Sequence, residues 1–433
     1  MSQILDRRIA PGIHSFGHLA LPRPSLITLE NGIPLSILDS GEMDVNRLTI
    51  SINGGEAEEP VPSLAKLTAS LPVEGCDGLS GDKIAEMLEF NGAWVKALAH
   101  THQRSLTIYS LNSTAKKVIP LIGRVLSAPT FPQNEVDNIV GQTAERLRVE
   151  QEKVSNQASR AMHRILYGES CPLARESSPE KVASITREDI YSFYYTGFNP
   201  SRINAYLSGK ITPDILAHVK ETLLSLPILG PGYDETPLTF TPSAQHRVHV
   251  ENPEAVQSAV KLSIPSIGRN HPDYVPLRIA VIALGGYFGS RLMLNIREEK
   301  GLTYGIMAAL VGYQESSFIS ISTQTDNRYV ETVIAEVIAE IEHMKDPSSY
   351  TSEEINRLSR HVLSGLASSL DTPFTAMDIW ELQLFAKTRP DYFEQQQHVA
   401  RSLSGELLAD IARRYFDTSN LYIATAGKNI GIK

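Results

Sequence analysis

The chain repeats itself, and that repetition limits its architecture more than any other feature. One stretch reads SITREDIYSFYYTGFNPSRINAYLSGKI and a later one SLSGELLADIARRYFDTSNLYIATAGKNI. Each spells a capped helix, a short polar turn, a strand and a glycine. In the first, Thr186 is the N-cap of a helix reaching about Tyr195, and the strand is Ile203 to Gly209. Two copies of one closing pattern predict two units of similar build.

The order of elements before each copy agrees. The first half opens with strands over Ser25 to Leu38 and Val45 to Gly54, punctuated by Asn31, Gly32, Ser40 and Gly41. Helices follow near Ser63 to Leu71 and Ser80 to Phe90, where Ser80 is the cap and Ile84, Ala85 and Leu88 make an apolar stripe. Strands come next at Ala93 to His100 and Arg104 to Leu111, then helices at Ala115 to Leu126 and Gln133 to Tyr167. The second half has strands at Arg247 to Val250 and Ala259 to Ile264 and helices at Tyr274 to Gly285 and Arg291 to Lys300. Strands Gly305 to Tyr313 and Ser317 to Thr323 follow. Helices then cover Val330 to Met344, Ser352 to Leu370, Pro373 to Ala386 and Ser404 to Phe416, before a final strand at Leu421 to Ala426.

Between the halves, Leu226 to Gln245 carries prolines at 227, 231, 237 and 242, a composition suited to a linker on the surface. The expected organisation is residues 1–225, a linker over 226–245, and residues 246–433. Hairpin-joined strands with grouped helices predict an α+β fold, each half a mainly antiparallel sheet with helices on one side. At 433 residues with 42% hydrophobic and 21% charged side chains, the chain can fill two cores. No apolar run is long enough to cross a membrane, and the first residues lack the apolar stretch of a secretory signal. A net charge of -9 argues against nucleic acid as a partner. Cys76 and Cys171 show no metal-binding spacing, and free thiols in a reducing cytoplasm are expected.

The segment GGYFGSRLMLNIREEKGLTYGI, Gly285 to Ile306, carries the chemistry. It sets Arg297 and Tyr304 seven positions apart, at a helix end and a strand start. A planar cation and a phenol held together can grip a peptide carbonyl and the oxyanion that develops from it. Gly301 suits the turn after the helix, and Gly285, Gly286 and Gly289 suit close backbone approach. The plainer alternative pairs Arg297 with Glu298 or Glu299 on the surface and buries Tyr304 as an ordinary strand residue.

This segment, with the closing patterns, resembles the M16 peptidases (the pitrilysin and insulinase family), above all the short bacterial subfamily B and the mitochondrial processing peptidase subunits. The likeness spans both halves. In active members a first-half helix carries His-x-x-Glu-His, whose two histidines and a distant glutamate hold zinc while the motif glutamate is the base. Here the matching residues are Ser63-Leu64-Ala65-Lys66-Leu67-Thr68-Ala69-Ser70. Lys66 and Ser70 replace the histidines, Ala69 replaces the base, and the distant ligand falls near Glu145 or Arg146. A protonated amine does not ligate zinc and a methyl group accepts no proton.

Other pairs have simpler readings. His14 and His18 lie in a glycine-containing stretch unsuited to a helix. His100 and His102 share a strand face without a third ligand, and His246 and His249 read as surface residues. Gly285-Gly286-x-x-Gly289 follows a helix instead of a strand and lacks the basic tail of a phosphate loop. Lys66 reads as a solvated helix residue.

The resemblance therefore implies a subunit without zinc, contributing Arg297 and Tyr304 to a site completed by a homologous zinc-bearing chain, with a peptide as substrate. The alternative is a scaffold or homodimeric peptide-binding chamber with no hydrolytic role.

Overall fold

The computed structural model describes residues 17–232, 238–313 and 316–431. The first half runs β1 (Ser25–Thr28), β2 (Pro34–Asp39), β3 (Val45–Asn53), α1 (Leu64–Ser70), a two-residue pair β4 (Gly75–Cys76) and β5 (Leu79–Ser80), and α2 (Gly81–Phe90). It continues with β6 (Trp94–Ala99), β7 (Gln103–Leu111), α3 (Ala115–Ser127), α4 (Gln133–Glu152), α5 (Val154–Tyr167), α6 (Pro179–Ala183), α7 (Arg187–Gly197), β8 (Ile203–Gly209) and α8 (Pro213–Leu224). The second runs β9 (Arg247–Glu251), β10 (Gln257–Ile267), α9 (Tyr274–Gly285), a π-helical segment Met293–Glu299, β11 (Thr303–Gly312) and β12 (Ser316–Asp326). After these come α10 (Val330–His343), α11 (Ser352–Ser368), α12 (Pro373–Phe385), α13 (Tyr392–Arg401), α14 (Gly405–Tyr415) and β13 (Tyr422–Gly427).

The repetition in sequence is a repetition in topology. The first sheet has the order β1-β2-β8-β3-β7-β6 and the second β11-β12-β10-β13-β9. Read from the opposite end, the first matches the second strand for strand, with β1 added at the edge. Each holds one parallel pair, β2 with β8 and β9 with β13, among antiparallel neighbours. The closing helix of each copy is capped as its residues dictate. The Thr186 hydroxyl accepts from the Asp189 amide, whose carboxylate accepts from the Thr186 amide, and the Ser404 hydroxyl accepts from the Leu407 amide.

Strand β3 shows how the sheets are covered. Leu48, Ile50 and Ile52 enter the first-half core, yet the alternate residues Arg47, Thr49 and Ser51 are buried too. Burial on both faces requires a cover on both sides, and helices from the opposite half supply it. Helix α5 packs on β9, β10 and β13 of the second sheet, while α12 packs on β8 and β2 of the first. Met162, Ile165 and Tyr167 of α5 form a core with Phe318, Tyr422 and Ala424 of the second sheet.

That exchange explains why the expected continuous helix over Gln133–Tyr167 is two helices. Lys153 leaves the helical region at φ -71°, ψ 124°, so the chain can turn toward the second sheet. No proline or glycine marks the break. Polar side chains stabilise it: the Asn156 amide donates to the Glu150 carbonyl (2.8 Å), and the Gln157 amide to that of Gln151 (3.1 Å). Helices α8 and α13 were not expected from the sequence.

The connecting segment is tied to the first half at both of its ends. Leu229 donates to the Phe198 carbonyl (3.0 Å), and Ser243 and Thr241 donate to those of Ile165 (2.7 Å) and Tyr167 (2.9 Å). We propose it as the boundary between the repeats. Cys76 lies in the first-half core and Cys171 beneath α5, both as buried free thiols.

Candidate functional site

Helix α9 is held close to β11 because residue 285 lacks a side chain: a Cβ on Gly285 would lie 2.6 Å from that of Ala308. The backbone then turns through the π-helical segment Met293–Glu299, and Gly301 reverses direction at φ 62°. This places Arg297 against the start of edge strand β11. Its Nε donates to the backbone carbonyl of Tyr304 at 3.0 Å, Nη1 pairs with Glu298, and the guanidinium lies 4.9 Å from the Phe288 ring centre. No acceptor engages Nη2 among the described residues.

The ladder between β11 and β12 shifts between Thr303 and Ile306, so Tyr304 sits in a bulge. Its side chain is 91% exposed. The surface ion pair with Glu298 is present, as the plainer reading expected. Burial of Tyr304 is not: the phenol stands in solvent beside the free edge of the sheet. Thr303 reinforces the bulge, its hydroxyl donating to the carbonyls of Gly305 (3.0 Å) and Gln324 (2.7 Å). A free strand edge, a fixed cation and a projecting phenol together suit an extended polypeptide added along β11.

The other candidate residues lie on α1 in the first half, and no hydrogen bond or ion pair joins them to Arg297 or Tyr304 among the described residues. Helix α1 starts after Ser63 at φ 82°. Buried Glu59 caps it, accepting from the amides of Ser63 (3.1 Å) and Ala65 (2.8 Å). Burial pushes the Glu59 carboxyl up to about 7, against the pull of those two hydrogen bonds. Lys66 is exposed, and its amine is pulled down chiefly by desolvation, then by Arg146, with Glu56 opposing. The Ser70 hydroxyl is turned back onto its own helix, bonding the carbonyls of Lys66 (3.1 Å) and Leu67 (3.3 Å). Glu145 pairs with Arg148 at 2.7 Å, which leaves Arg146 as the α4 residue felt at Lys66.

These residues do not fit zinc. Two cations, a methyl group and an internally bonded hydroxyl stand where ligands and base are needed, and two like charges repel a dication. Among the described residues no cluster of three or more His, Cys, Asp or Glu could hold a metal.

The remaining histidines have local partners. His102 Nδ1 lies 3.2 Å from Glu58, and His249 Nδ1 lies 2.9 Å from the Thr425 hydroxyl. His246 stacks on Tyr422 at 4.3 Å, so both strand-start histidines are half-buried instead of on the surface. His18 contacts Gln397, and His14 lies outside the described residues. Sequence reasoning missed Arg104, which is buried and locks the loop before α1. Its Nε donates to the Gly54 carbonyl and Nη1 to the Thr68 hydroxyl, both at 2.9 Å. Burial draws its guanidinium down to about 10. The signal was there: an arginine inside a strand of alternating apolar residues.

Comparison with known proteins agrees with this fold. The family model described as the Peptidase M16 inactive domain matches residues 184–361, a span that contains Arg297 and Tyr304. A non-peptidase homologue, YmxG, of Helicobacter pylori is 25% identical over 286 residues, 64% of this chain and 65% of that protein, so the match spans just under two thirds of the relative. An uncharacterised zinc protease, also YmxG, of Bacillus subtilis is 19% identical over 81% of this chain and 85% of its own. The crystal structure of a peptidase M16 inactive domain from Pseudomonas fluorescens superposes with a TM-score of 0.85 at 23% identity, covering 95% of this chain and 99% of that one. Residues 184–361, which hold the Gly-rich Arg297 and Tyr304 segment, thus match the M16 inactive domain, and the chain as a whole shares the fold of that family's solved structures.

Proposed function

We propose that this protein is the substrate-clamping, non-catalytic subunit of a heterodimeric metallopeptidase acting on peptides or unfolded polypeptides. The observation that carries this reading is the pair at the edge of the second sheet. Arg297 is fixed to the backbone of Tyr304, and the Tyr304 phenol projects, 91% exposed, beside an unpaired strand. Neither arrangement serves a core. An extended peptide would pair with β11 through its backbone, which asks little of its side chains. Arg297 would hold a substrate carbonyl through Nη2, and the Tyr304 hydroxyl would donate to the substrate backbone or to the oxyanion.

Hydrolysis itself belongs to a homologous chain that carries an intact zinc motif, because α1 here offers neither ligands nor base. Phe288 (64% exposed) and Met307 (63% exposed) flank the clamp and give such a chain an apolar surface to cover. The test is reconstitution. This chain alone leaves a quenched peptide library intact, and adding the zinc-bearing homologue produces cleavage. Tyr304→Phe then lowers turnover while the two chains still co-elute. Cleavage unchanged by Tyr304→Phe and Arg297→Ala rejects the clamp and favours a scaffold.

A further inference from the structure

The exchanged helix α12 walls a cavity that meets β11 at its last residue, Gly312, and includes neither Arg297 nor Tyr304. On the face of the first sheet opposite its core, Arg47 and Thr49 of β3 stand beside Thr107 of β7. Helix α12 crosses this face with Asp378 and Glu381 one turn apart on the same side. The half-open cleft between them has a volume of about 460 Å³, and these residues line it together with Lys96 and Arg269. That volume is of the size that takes a small molecule.

The walls are incompletely satisfied. Arg47 is 3% exposed, and its Nη1 pairs with Asp378 at 2.6 Å. Its Nε and Nη2 are buried with no hydrogen-bond partner. Unpaired donors on a buried guanidinium are rare in a native fold and call for an acceptor. Nearby, Glu381 makes no hydrogen bond among the described residues, and burial raises its carboxyl above the usual range.

We propose that this cavity binds a small zwitterion bearing a free carboxylate and an ammonium group, a free amino acid or a dipeptide. The ligand carboxylate meets Nε and Nη2 of Arg47, a planar fork matched to two oxygens. The ligand ammonium meets Glu381. Other chemistries fit worse. A phosphate dianion faces both Asp378 and Glu381. A simple cation faces Arg47, Lys96 and Arg269. An apolar molecule leaves the guanidinium unmet.

Calorimetric titration of the full chain with alanyl-leucine tests this. The free dipeptide gives saturable heat. Its C-terminal amide gives none, its N-acetyl form binds about tenfold more weakly, a loss of about 1.4 kcal/mol, and inorganic phosphate does not compete. Arg47→Gln abolishes binding. Because loss of a buried arginine can unfold the chain, Glu381→Gln provides a second reading: it weakens the free dipeptide about tenfold and leaves the N-acetyl form unchanged. No saturable heat with the dipeptide, equal binding of its amide, competition by phosphate, or a Glu381→Gln protein that binds like the parent would each overturn the proposal.

Discussion

At the scale of single residues, the proposed clamp combines a fixed cation with an exposed phenol, and the two respond differently to substitution. The Tyr304 side chain is 91% exposed and has no hydrogen-bond or ring partner among the described residues, so Tyr304→Phe leaves the melting temperature unchanged. In the reconstituted enzyme the same change removes a donor to the developing oxyanion, and turnover falls roughly 100- to 1,000-fold. Arg297→Ala breaks an exposed ion pair worth about 0–1 kcal/mol, so its effect is also on turnover.

Glu59 has the reverse profile. Its carboxyl sits near 7 in the fold and near 4.5 in a free chain. The folded form therefore holds a proton that the unfolded form gives up, and stability falls as pH rises from about 4.5 to about 7. Chemical denaturation across that window shows this fall, and Glu59→Gln shows a smaller one. Arg297, Tyr304, Lys66, Ala69 and Ser70 could be singled out as candidates from the sequence because they lie in contiguous motifs. Arg47, Glu59 and Glu381 could not, since their roles depend on partners or cover brought in by the folding of the chain.

At the scale of elements, two local departures from ideal geometry position the function. The π-helical segment and the αL turn at Gly301 aim Arg297 at β11, and the contact of α9 with that strand needs Gly285. Gly285→Ala sets two methyl groups 2.6 Å apart, and urea denaturation should show a loss of roughly 1–3 kcal/mol. The second departure is the break at Lys153, which frees α5 to cross. There His163 is half-buried against Tyr167, and desolvation, with Lys261 adding, pulls its imidazole down to about 4. The unfolded chain takes up this proton first, so stability falls as pH drops from 6.5 to about 4. In His163→Gln that acid loss is reduced.

The strands and most helices were readable from alternation, apolar stripes and caps. The break was not, because it is stabilised by Asn156 and Gln157, residues that are equally at home inside a helix. Helix α8 had readable signals, a Thr212 cap, Pro213 at its start and Ile215, Val219 and Leu223 on one face.

For the whole molecule, duplication and exchange go together. Each repeat lends a helix to the other's sheet, so neither buries its own apolar surface alone. Separate expression of residues 246–433 exposes the sheet face carrying Phe318 and Tyr422, and this fragment is expected to aggregate or to lack a cooperative melt. The full chain unfolds in one transition by calorimetry. The repeated order was visible in the sequence, whereas the exchange was hidden because reciprocal packing leaves the order of elements unchanged.

The proposed function sets a degenerate metal position and a clamp on different repeats, so the account turns on what α1 can hold. The most direct test is the zinc content of the purified chain by mass spectrometry, after incubation with excess zinc and gel filtration. The account predicts far less than one equivalent per chain, unchanged by Lys66→Ala. One tightly retained equivalent, lost on substitution of Lys66 and Ser70, would contradict it.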